Sequence, residues 1–67
     1  MDINQAKQLT VGQVVYCPAD RGELPYSGRV VHIGTEVCTH MGGKPFVWIT
    51  VRVNARQNAV WPSNRLG

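Results

Sequence analysis

The sequence predicts an all-β fold: a single small barrel of about five strongly bent antiparallel strands, with a short N-terminal arm and a 3₁₀ turn before the last strand. Three observations lead there. The apolar residues, 43% of a 67-residue chain, fall mostly in short β-branched and aromatic runs. Clusters of Gly, Pro, Asn and Asp separate those runs. The length leaves room for one domain, which buries about 60% of the surface its unfolded chain exposes. The core is therefore thin, and an oligomer or partner would add to it.

Each element follows from its residues. Residues 1–10 are polar except for Ile3, Ala6 and Leu9 at near-helical spacing, which suits a helical turn or an arm, and residues 11–67 form the barrel. Val11, Val14, Val15, Tyr16 and Cys17 make a first strand with Gly12 at its mouth, ended by Pro18. A long loop follows, carrying Asp20, Arg21, Glu23 and Tyr26. The second strand covers residues 29–33 between Gly28 and Gly34, and simple alternation groups Arg29 with Val31 and Ile33, and Val30 with His32. Residues 35–40 extend or bend that strand, and Gly42 and Gly43 make a turn. Residues 46–53 form the clearest strand, with Val47, Ile49, Val51 and Val53 on one face and Phe46, Trp48, Thr50 and Arg52 on the other. A turn over residues 54–58 leads to a short strand, Ala59, Val60 and Trp61, stopped by Pro62. Pro62, Ser63 and Asn64 suit the 3₁₀ turn, and Arg65 and Leu66 add a last pairing.

This order resembles the SH3-like barrels, the group that includes Src-homology-3, Tudor and KOW modules. The resemblance covers residues 9–66. Val11-Gly12-Gln13-Val14-Val15 looks like the opening of Tudor and KOW domains, and Gly28-Arg29-Val30-Val31-His32-Ile33 looks like their Gly-led second strand. Val60-Trp61-Pro62-Ser63-Asn64 is similar to the final strand and 3₁₀ turn of Src-homology-3 domains. The resemblance implies a binding module. It does not carry over polyproline recognition, because Arg65 and Leu66 stand where that groove has a Tyr. Nor does it supply an aromatic cage, with five aromatics in the whole chain. Type II dihydrofolate reductases are similar in outline only, since Asn58-Ala59-Val60-Trp61 replaces their active-site strand.

Chemistry is sparse elsewhere. No apolar run reaches the roughly 18 residues of a membrane span, and the first residues lack the basic and apolar regions of a signal peptide, so the expectation is a cytoplasmic protein with Cys17 and Cys38 reduced. Cys17, His32, Cys38 and His40 have the ligand types of a zinc site. They lack a Cys-x-x-Cys knuckle, and a strand Cys is most often a small core residue, so no metal is expected. No His is spaced to activate either thiol, Asp20 and Glu23 read as solvated loop charges, and Gly42-Gly43-Lys44 is too short to cradle phosphates. The expectation is a protein that is not an enzyme, with no cofactor and no small-molecule substrate.

Basic residues with interleaved aromatics are the stronger signal. The chain has seven Lys and Arg against four Asp and Glu; four of the basic residues fall from Lys44 on, whereas every acid precedes Val37. Trp48 and Arg52 share a strand face that could stack bases and meet phosphates. Tyr26, Lys44, Trp48, Arg52, Arg56 and Arg65 are the candidate contact residues, and Trp61 is expected to plug the barrel end. The function expected is a non-enzymatic nucleic-acid-binding module. The alternative is a protein-interaction or self-assembling accessory module of phage, plasmid or bacterial type, and the remotest is a diverged relative of the small barrel reductases.

Overall fold

The computed structural model describes residues 1–19, 22, 24–39 and 43–67. Asp20, Arg21 and Glu23 of the long loop, and His40, Met41 and Gly42 of the later turn, lie outside the described residues. The order is helix α1 (Ile3–Lys7), strands β1 (Val14–Cys17), β2 (Tyr26–Ile33), β3 (Trp48–Asn54) and β4 (Gln57–Pro62), then a 3₁₀ turn at Ser63–Arg65. The strands pair antiparallel in the order β1-β2-β3-β4. Among the described residues the sheet is open and has four strands, where the sequence predicts closure and about five. Gly67 exchanges two backbone hydrogen bonds with Tyr16, of 2.9 and 3.0 Å, along the free edge of β1. No helix among the described residues is long and apolar enough to cross a membrane.

The N-terminal segment contributes to the core. Asp2 accepts the Gln5 N–H at 2.8 Å and the Gln5 side chain accepts the Asp2 N–H at 3.1 Å, a reciprocal cap that starts the helix. One turn later Ala6 and Leu9 are buried, and the Met1 amine donates to the Leu66 carbonyl at 2.7 Å. Two ends of the chain thus close over the same side of the sheet. That side holds Val15, Cys17, Val30, Ile49, Val51 and Trp61, packed with Ala6, Leu9, Val47 and Leu66.

Two irregularities overturn simple alternation. A bulge lies between Val30 and His32, so Val30 and Ile33 face inward while Arg29 and His32 are exposed on the other side. Arg29 therefore does not share a face with Ile33. A second irregularity between Arg52 and Asn54 frees Val53, which is 37% exposed rather than core. It leads into the turn that Asn54 shapes by accepting the Arg56 N–H at 2.9 Å.

Phe46 also departs from its expected place beside Trp48 on an open face, since it is fully buried. It precedes β3 and forms an isolated bridge with Cys38, exchanging two backbone bonds of 2.8 Å. The next residue, Val47, is held by Ser63: its carbonyl accepts the Ser63 N–H at 2.9 Å and its N–H donates to Ser63 Oγ at 3.1 Å. Consecutive side chains at 46 and 47 are consequently both buried. Pro62 sets up this clamp by capping the 3₁₀ turn with extended backbone.

Candidate nucleic-acid interface

The outer face of the sheet is built by register. Val14 stands opposite Arg29, Arg29 opposite Arg52, and Arg52 opposite Asn58, one row across all four strands. The next row places His32, Thr50 and Val60 opposite one another. No acid is a cross-strand partner of either arginine, so two guanidinium groups share one stretch of surface. Together with Val14, Ser27, Gly28 and Asn54 they line a shallow groove of about 450 Å³.

Two glycines hold the pair in place. A Cβ on Gly28 would lie 2.3 Å from Val51 Cγ1 and 2.7 Å from the Arg52 carbonyl oxygen, so only glycine lets β2 approach β3 here. Gly12 adopts a φ of 96° that side chains rarely accept, and its N–H donates to the Val30 carbonyl at 2.7 Å. That bend presents the Gly12 carbonyl to Arg29, whose Nη1 donates to it at 3.0 Å. One arginine of the pair is therefore oriented by backbone, and Arg52 stands exposed beside it.

Aromatic residues flank the pair. Trp48 lies on the same side of β3 as Arg52 and is 38% exposed, its ring edge-on to Phe46 at 5.3 Å and 88°. Tyr16 lies on the outer side of β1, 68% exposed, opposite Ser27. Arg56 is exposed at the tip of the turn that follows β3.

The other candidates lie elsewhere. Tyr26 is half-buried, and its hydroxyl accepts the Trp61 Nε1–H at 2.9 Å. The Arg65 guanidinium sits 5.5 Å from the centre of the same indole. Tyr26, Trp61 and Arg65 line a separate groove of about 580 Å³ with Leu24 and Val53. Trp61 is buried in the core cluster of an open sheet, where the sequence predicts a plug at a barrel end. Lys44 lines a third groove with Asp2, Ile3 and Asn64, beside the helix. The six residues thus divide among several places, and only Trp48 and Arg52 belong to the side that Arg29 and Tyr16 share; Arg56 stands apart in its turn.

Arg29 and Tyr16 are the residues that reading the strands singly misses. Cross-strand pairing brings them in, and pairing is not written in any one strand. The thiols offer little chemistry to the site. Both are free. Burial pushes the Cys17 thiol above its ordinary pKa, an effect partly offset by its hydrogen bond with Tyr26, so it stays protonated and un-nucleophilic near neutral pH. Among the described residues no three His, Cys, Asp or Glu side chains come together to hold a metal ion. Compared with family models, curated proteins and solved structures, the chain matches none.

Proposed function

We propose that this chain is a small, non-enzymatic nucleic-acid-binding module that meets its ligand with the outer face of its sheet. The Arg29–Arg52 pair carries the reading. Like charges directly opposite on a sheet are destabilising, and a phosphate between them turns that repulsion into two charge-assisted hydrogen-bonding forks. Exposed Tyr16 and Trp48 add rings on which bases stack. We read the fold itself as related to the SH3-like barrels, supported by the Pro62-led 3₁₀ turn and by the way Gly67 runs along the edge of β1.

A salt titration tests the function. Labelled oligonucleotides should bind at low ionic strength and release steeply as salt rises, because each neutralised phosphate frees condensed counterions. No binding at low salt sinks the reading. One observation favours the runner-up, self-association: Val14, Tyr16 and Val60 leave apolar surface open on the same side. Sedimentation of a monomer at high protein concentration removes that alternative.

A further inference from the structure

We infer that the nucleic acid this face accepts is single-stranded, laid obliquely from Tyr16 across the Arg29–Arg52 pair to Trp48. The inference rests on the function proposed above and narrows its ligand.

Shape argues against a duplex. At about 4.8 Å between neighbours, four strands span about 14 Å between the axes of the outer two. The major groove of B-DNA is about 12 Å wide and admits a helix or a two-stranded ribbon. This face fits neither description. The one helix among the described residues, α1, has five residues and packs with the core through Ala6. Base pairs in a duplex also keep their faces stacked on one another, so an exposed indole on a sheet finds no ring to stack on unless the base is unpaired.

The spacing fits a strand. Trp48 and Arg52 are four residues apart on one side of β3, about 13 Å at 3.3 Å per residue. Tyr16 sits one strand over and two residues along from Arg29, a diagonal of about 8 Å. Arg29 and Arg52 themselves are cross-strand neighbours. Aromatic, paired guanidinium groups and aromatic therefore lie along an oblique line whose ends are about 22 Å apart. Divided by the 3.4 Å rise of stacked nucleotides, that is about six nucleotides at most, and fewer when the strand is stretched. The arginines hold a phosphate in the middle and the two rings take bases on either side. Phe46, buried beneath Trp48, fixes the indole so that little rotamer freedom is lost on binding.

Fluorescence anisotropy at low salt, using oligo(dT) and oligo(U) of two to twelve nucleotides beside a 20-base-pair duplex, tests this. The expected result is that a single strand binds at least tenfold more tightly than the duplex, with affinity levelling off at about four to six nucleotides. Trp48→Leu should weaken single-strand binding roughly 5- to 150-fold, the range of one lost stacking contact, while leaving weak duplex binding within about twofold. Trp48→Phe should restore most of the loss, and circular dichroism of both variants separates a lost contact from a lost fold. Equal affinity for duplex and single strand overturns the inference and leaves the proposed function standing. So does an equal loss on both ligands in a folded Trp48→Leu protein. Failure of every oligonucleotide to bind removes the function and this inference together.

Discussion

Val30, Val51 and Ala59 stand opposite one another across three strands, and so do their immediate chain neighbours Arg29, Arg52 and Asn58. The two rows sit side by side in one register and face opposite sides of the sheet. Val30 and Val51 are fully buried, whereas Arg29, Arg52 and Asn58 are exposed. One register therefore sets both stability and charge display. The protein is thin, measuring 30 × 26 × 16 Å, so the two rows lie only one sheet thickness apart. Its accessible surface is 4679 Å², somewhat above the roughly 4,200 Å² that area scaling gives for this mass.

The sharpest way to break the comparison is from the inner side. Ile49 is fully buried opposite Ile33 and Trp61. Ile49→Ala should cost about 2–5 kcal/mol, a large share of the roughly 3–10 kcal/mol that about 0.05–0.15 kcal/mol per residue gives a domain of this size. Urea titration should show a midpoint shifted far toward zero denaturant. Next in size is Gly28→Ala, which strikes both rows at once. Its new methyl meets Val51 on one strand and the Arg52 carbonyl on the same strand, so β2 and β3 must part. A loss of about 1–3 kcal/mol is expected, accompanied by weaker oligonucleotide binding even where the protein remains folded, because the two arginines move apart.

A smaller effect separates the sides by solvent condition. Cys17 is an ionisable group on the inner side of the sheet, and its folded pKa is raised by burial. The stability linked to that shift is fully present below the unfolded thiol's pKa and is lost as pH climbs through the raised folded value. Alkaline pH should therefore destabilise the wild type more steeply than Cys17→Ala, measured as the difference in urea midpoint between pH 7 and pH 10. A thiol reagent at pH 8 should label half-buried Cys38 well before Cys17.

How far these rows could be read from sequence depends on what each feature needs. The β-branched runs around Val15, Val30, Ile49 and Val60 mark four strands because period and propensity are local properties. Pro62 and Ser63 mark the 3₁₀ turn for the same reason. Bulges are different: the one between Val30 and His32 exists only because β2 must match β3, and it puts Arg29 on the opposite side from the one parity assigns. Phe46 is buried through a bridge to Cys38 and a clamp from Ser63, both distant in sequence. The helix at Ile3–Lys7 shows in the near-helical spacing of Ile3, Ala6 and Leu9, and its Asp2 and Gln5 cap is a local signal of the same kind. Of the candidate site, Trp48 and Arg52 were legible as one face of one strand. Arg29 and Tyr16 belong to it through pairing alone.

The smallest expected change in stability belongs to the outer row and is the most informative about function. Arg52→Ala removes an exposed side chain, so the usual expectation is a change within about 0.5 kcal/mol. Here the sign should favour the mutant by a few tenths of a kcal/mol, since Arg29 loses a like-charged partner directly opposite. Arg29→Ala relieves the same repulsion but also deletes the bond to the Gly12 carbonyl, so it should come out neutral or slightly destabilising. The two variants thus separate a strained pair from an ordinary pair of surface charges. In binding they should instead agree, each weakening oligonucleotide affinity and lowering the salt slope by about 1. Unchanged affinity in both, with wild-type folding, would mean that the row holds charge without using it and that the apolar surface at Val14, Tyr16 and Val60 is the working part of this face.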